Sequence, residues 1–119
     1  MSVNLQNEYG VIKIKTDIVA YIAGVATNEC EKVTGLVAKV GKDGFVQLLK
    51  PDKLSKGVKI NFEDDILNID VHIAVEYGAK ITEVADFIIG RVKYRVEEYT
   101  GLIVNNVNVF VEGIQMPEQ

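Results

Sequence analysis

Residues 16–36, TDIVAYIAGVATNECEKVTGL, recur at 82–102 as TEVADFIIGRVKYRVEEYTGL, in register and without a gap. The copies share Thr16/Thr82, Ile22/Ile88, Gly24/Gly90, Glu31/Glu97 and the closing Thr34-Gly35-Leu36/Thr100-Gly101-Leu102. Asp17/Glu83, Ile18/Val84 and Tyr21/Phe87 are conservative pairs. In each copy a threonine stands where a helix N-cap belongs, and an acid follows in the first turn, favoured by the positive end of the helix dipole. In the first copy Ile18, Ile22, Val25, Ala26, Cys30 and Val33 recur at three- and four-residue spacing, which predicts one apolar helix face. Val84, Ala85, Ile88, Val92, Val96 and Tyr99 do the same in the second. Gly35 and Gly101 are then expected to stop the helices in the left-handed conformation, which glycine adopts without a Cβ clash. The shared residues are caps and core positions; none is a nucleophile, a metal ligand set or a phosphate cradle.

Outward from the repeat, the pattern changes to a period of two. Tyr9 to Lys15 alternates and predicts a first strand. Leu36 to Val40 is a short apolar run, followed by a glycine turn and an expected short helix from Asp43 to Leu49. Pro51 should end that helix, with Asp52 to Gly57 a polar loop. Val58, Ile60 and Phe62 alternate with Lys59 and Asn61, and Glu63-Asp64-Asp65 makes an acidic turn. Leu67, Ile69, Val71, Ile73, Val75 and Tyr77 then alternate with Asn68, Asp70, His72, Ala74 and Glu76, so the two runs predict an antiparallel hairpin. Val107, Val109 and Val111 alternate with Asn106, Asn108 and Phe110 as a last strand. The order β-α-β-(short α)-β-β-α-β predicts an α+β fold of two layers, a mixed or antiparallel sheet under two long helices. A single domain spans 1–119, with its core at about 9–114 and tails at 1–8 and 115–119. The alternation leaves the second sheet face polar or covered by a partner.

Composition narrows the function. A net charge of −4 and a pI near 5.0 weigh against nucleic acid or anionic lipid as partner, since both select basic surfaces. The one cysteine, Cys30, rules out an internal disulfide. The opening MSVNLQNEYG lacks a secretory pattern, and no apolar run approaches the ~20 residues of a membrane span. A cytoplasmic domain is the expectation.

Candidate chemistry is sparse. His72 is the only histidine and falls on the polar side of a strand, where a solvated sheet residue is the plainer reading than an acid–base catalyst. Cys30 sits on an apolar helix face as a small core hydrophobe. Glu63-Asp64-Asp65 lacks the spaced ladder of oxygen ligands that wraps a calcium ion. No catalytic residue, cofactor or metal is therefore expected. Gly41-Lys42-Asp43-Gly44 resembles the G-x-x-G clamp of KH domains, with Gly41, Lys42 and Gly44 as the residues that would grip single-stranded nucleic acid. The motif is short and the chain acidic, so an ordinary glycine turn is preferred and nucleic acid stands as the alternative partner. Tyr94 with Arg91, Lys93 and Arg95 makes a basic helix face, which Glu97 and Glu98 turn into a mixed-charge one.

Several separated motifs carry a family resemblance. LSKGVKI (54–60), VEYG (75–78), ITEVA (81–85) and VEEYTGLIVNNVNVFVEGI (96–114), with the opening GVIKI (10–14) and IAGVATNE (22–29), together resemble the alkaline shock protein family of Gram-positive bacteria. The resemblance covers about residues 9–114. It implies a non-enzymatic, cytoplasmic protein of the envelope stress response, peripheral to the inner face of the membrane through an integral membrane anchor protein. It implies no small-molecule substrate and offers no catalytic residues to carry over. On this reading the chain is a structural or adaptor protein working by protein–protein contact. The strand from Ile103 to Val111, rich in Asn and Val, is expected at a sheet edge, with Ile103, Asn105, Val107, Val109 and Val111 as interaction residues. An exposed edge can pair with another chain, so a homo-oligomer is expected.

Overall fold

The computed structural model describes residues 2–40 and 45–116. The chain runs β1 (Ser2–Asn7), β2 (Gly10–Lys15), α1 (Thr16–Asn28), β3 (Val33–Val40), β4 (Phe45–Leu48), a 3-10 helix (Pro51–Gly57), β5 (Val58–Glu63), β6 (Ile66–Glu76), α2 (Ile81–Thr100) and β7 (Val104–Gln115). It is an α+β fold in which two long helices lie on a mixed five-stranded sheet, with β1 and β2 as a separate hairpin.

β6 is the organising strand, because its period-two pattern is the most regular in the chain. Leu67, Ile69, Val71, Ile73 and Val75 all point into the core and are fully or almost fully buried. One flank of β6 is shared end to end: β5 pairs antiparallel with Ile66 to Val71, and β3 with Ile73 to Val75. The other flank is taken by β7 alone, running parallel from Leu67↔Val104 to Glu76↔Gln115. The β5–β6 connection is the expected acidic turn. Asp64 and Asp65 both have positive φ (52° and 63°), as a two-residue hairpin turn of this hand requires.

α2 follows its expected stripe, with Val84, Ile88, Val92 and Val96 buried, although Tyr99 is exposed. α1 does not follow its own. Val19, Ala20, Ala23, Gly24, Ala26 and Thr27 face the core, while Ile18 and Val25 of the expected stripe are exposed. Gly24 has no Cβ where Leu54 and Leu36 press against the helix, which sets this side inward. The caps shift as well: Lys15 and Lys80 occupy the N-cap positions, and Thr16 and Thr82 lie within the first turn.

Three further expectations are corrected. α1 ends at Asn28, and Gly35 lies inside β3, paired with Ala74, so it is not a helix cap. The ladder offered by β6 outweighs helix propensity over residues 33–36. The short helix expected from Asp43 to Leu49 is displaced: Phe45–Leu48 is a strand paired with β3, and the 3-10 helix begins where Pro51 supplies a preset φ at its first position. Ser2–Asn7, expected within a tail, is a strand. Its partner β2 joins it through Asn7, whose Oδ1 accepts from Tyr9 N and Gly10 N at 2.8 and 3.1 Å. Val3↔Ile14 and Leu5↔Ile12 place four apolar side chains on one face of this hairpin, and Val3 is fully buried in the core.

Gly101 does cap α2 as expected, at φ 75°, its N–H donating to Glu97 O. A Cβ there would meet only Leu5 Cδ1 at 4.0 Å, so the penalty of substitution is conformational rather than steric. Gly101→Ala should therefore cost about 1 kcal/mol, read as a fall of about 4 °C in Tm by circular dichroism.

Candidate interaction surface

β7 owes its position to α2. Thr100 Oγ1 donates to Val96 O at 2.6 Å and accepts from Leu102 N at 3.1 Å, while Glu97 Oε2 accepts from Val104 N at 2.9 Å. The chain thus leaves the helix through a fixed corner and enters the sheet beside β6. Among the described residues no strand lies on the far side of β7, so its outer backbone groups form a sheet edge.

Natural edges are blunted by lysine, proline, short length or bulges. β7 is twelve residues long and contains no Lys, Arg or Pro. Its one charge, Glu112, is turned onto the sheet, where Oε1 meets His72 Nδ1 at 2.9 Å. Register shifts at Asn105 and Glu112 leave Asn106 to Val111 as a regular six-residue run between two bulges. That run, NVNVFV, alternates two asparagines with strong β-formers and carries no charge.

The expected interaction residues fall in two groups. Ile103, just before β7, is 78% exposed, and Asn105 is exposed at the first bulge. Val107 is buried, and Val109 and Val111 are half-buried against the core, so these three face the helix layer. The side chains on the open sheet face are Asn106, Asn108 and Phe110. They join a row that the sequence alone did not assemble. Asn108 Nδ2 donates to Asp70 Oδ1 at 2.9 Å, and Phe110 stacks on His72 with ring centroids 4.9 Å apart. His72, expected as a solvated sheet residue, is held on two sides by Glu112 and Phe110. Its partners lie about forty positions away, and no local pattern could have named them. Cys30 is buried, as expected, but it lies just beyond the end of α1 and not on its face. Gly41, Lys42 and Gly44 lie outside the described residues.

Among the described residues no group of three or more His, Cys, Asp or Glu side chains could hold a metal ion, and no helix is long and apolar enough to cross a membrane.

Residues 4–116 match the alkaline shock protein 23 family, described as having a cell envelope-related function. The uncharacterized protein YloU of Bacillus subtilis (strain 168) is 38% identical over 117 residues, spanning 98% of both chains. The uncharacterized protein Spy1614 of Streptococcus pyogenes serotype M6 is 34% identical over 98% of this chain and 97% of its own. Among solved structures, a MamM CTD aligns at 14% identity over 87% of this chain and 98% of its own, with a TM-score of 0.48, too remote to carry an argument. With nearly its whole length matched, from β1 to the end of β7, this chain belongs to the alkaline shock protein 23 family, whose function is cell envelope-related.

Proposed function

We propose that this protein is a non-enzymatic structural or adaptor protein of the cell envelope, acting through protein–protein contacts at the free edge of β7. The observation that carries the reading is the regular run from Asn106 to Val111 between the two bulges, with unpaired backbone on one side and no charge along it. An added strand gains main-chain hydrogen bonds there, and alternate side chains supply specificity.

A second copy is the first partner. Two β7 strands can lie antiparallel across a two-fold axis, giving a self-complementary contact. With the axis at Val109, Asn106 faces Glu112 of the other copy, Val107 faces its Val111, and no two carboxylates oppose each other. The pairing also makes one continuous sheet of two five-stranded halves. The second partner is an integral membrane protein that holds the chain at the inner face of the membrane, consistent with the cell envelope-related family. The polar side chains of the open face support a scaffold rather than a catalyst. His72 is occupied by Glu112 and Asp70 by Asn108, so neither is left free for a substrate. No cofactor or small-molecule substrate enters this reading.

Sedimentation velocity tests it. A contact this narrow sits at the weak end of protein interfaces, so mass-action growth is expected between about 1 and about 100 µM. A single 13.2 kDa species across that range would contradict the proposal.

A further inference from the structure

The corner where α2 passes into β7 faces the β1–β2 hairpin across a groove of about 580 Å³. Leu5 on the hairpin, Phe62 on β5, and Leu102 and Ile103 at the corner give it apolar walls, with Gln6 and Asp65 among its polar lining. Leu102 belongs to the main core, and Leu5 and Phe62 pack against it. Ile103 does not share that cover and is 78% exposed. A two-stranded ribbon is marginal in water by itself. Here only Val3 is fully buried, and Ile12 on the same face of the hairpin is exposed.

At the opposite end of the sheet, β7 finishes with two exposed apolar side chains, Ile114 (56%) and Met116 (67%), on either side of Gln115. Within one copy they are far from the groove. Val104 pairs with Leu67 and Gln115 with Glu76, which puts them about 30 Å apart along β6 at the rise of a strand. Antiparallel pairing of two β7 strands about Val109 closes that distance. It sets Ile114 of the other copy opposite Val104 and carries its Met116 past Ile103 to the groove. The faces agree as well. Val104 and Ile114 pair with Leu67 and Val75, which both point into the core, so both lie on the helix side of the sheet. Residues directly opposite on antiparallel strands share a face, and the core that Leu5, Phe62 and Leu102 join lies on that same side. The segment Ile114-Gln115-Met116 brings no charge into this apolar site.

We infer that the groove between the β1–β2 hairpin and the start of β7 receives the Ile114–Met116 end of β7 from a second copy. The two-fold axis makes the contact twice, once at each end of the paired strands. The inference rests on the β7 pairing proposed above and adds to it a receptor site: one copy supplies the groove, the other its occupant. Apolar side chains left exposed at both ends of β7 are thereby covered together.

Disulfide trapping tests it in the full-length chain with Cys30→Ser as background. One chain carries Gln6→Cys and a second carries Met116→Cys. Both positions are exposed, so circular dichroism should show an unchanged fold. Mixed and mildly oxidised, the two chains should form a disulfide-linked heterodimer, whereas each alone should not link, because the axis keeps like positions at opposite ends of the pair. Ile114→Ser with Met116→Ser should weaken association by about tenfold or more, since it removes apolar area from each groove. Asn106→Lys with Asn108→Lys should abolish the trapped heterodimer by breaking the strand pairing that delivers the segment. Association that persists in sedimentation, with slowed exchange of the β7 amides but no heterodimer and no effect of the double serine variant, would overturn this inference and leave the edge contact standing. Absence of any association would overturn both. A heterodimer that forms at full strength in the double lysine variant would also overturn the inference, because the occupant would then reach the groove without the β7 register.

Discussion

Ile69→Ala should lower the unfolding free energy by about 3 to 4 kcal/mol, because it opens a cavity in the strand that pairs with β3, β5 and β7. Ile69 is fully buried on β6, flanked by Ile60 on β5 and Val107 on β7. α1 and α2 lie over this face, so the neighbours have little freedom to collapse into the space. A domain of this size has a total stability of about 5 to 15 kcal/mol, so the variant should lose between about one-fifth and about four-fifths of it. Urea denaturation should show a lower midpoint with an unchanged m-value. Val11→Ala on the exposed side of the hairpin should cost less than about 0.5 kcal/mol. A loss below about 1 kcal/mol at Ile69 would mean that the β6 face is not a closed core.

Asn106→Lys combined with Asn108→Lys should weaken self-association by about tenfold or more while moving Tm by no more than about 3 °C. Both side chains are exposed, so the fold loses little beyond the Asn108–Asp70 hydrogen bond. In the paired edges four added lysines would converge around the two-fold axis at Val109, where like charges on facing strands repel. Lysine is also the residue with which natural edges prevent pairing. Association that survives the change at full strength would move the contact away from β7.

The two Thr-Gly-Leu tripeptides mark how far the sequence could be read. At 100–102 the glycine caps α2 in the left-handed conformation, and Thr100 closes the last turn. At 34–36 the same three residues are a strand, with Leu36 opposite Ile73. No local signal separates them. The difference lies in β6, which accepts Val33 to Leu36 as a ladder partner, whereas after α2 its pairing begins only at Val104, beyond the tripeptide. The α1 stripe misled for a related reason: with both sides apolar, three- and four-residue spacing does not say which side is inside. β6, β5 and α2 were legible because each has one apolar and one polar side. β1 carries only a weak alternation of Val3 and Leu5 with polar residues, and β2, its partner, reads equally well as a strand of the main sheet. The edge position of β7 was legible in its Asn and Val content, but the pairing of His72 with Glu112 and Phe110 depends on the parallel register of β6 and β7, which the sequence does not contain.

We propose the outer backbone of β7 as a binding edge. Hydrogen–deuterium exchange of the Asn106 to Val111 amides at low and high protein concentration tests it most directly. Those amides that face away from β6 should exchange freely in dilute protein and slow in proportion to the associated fraction as concentration rises. Exchange in β7 that stays the same at every concentration, while sedimentation shows the protein associating, would contradict the account.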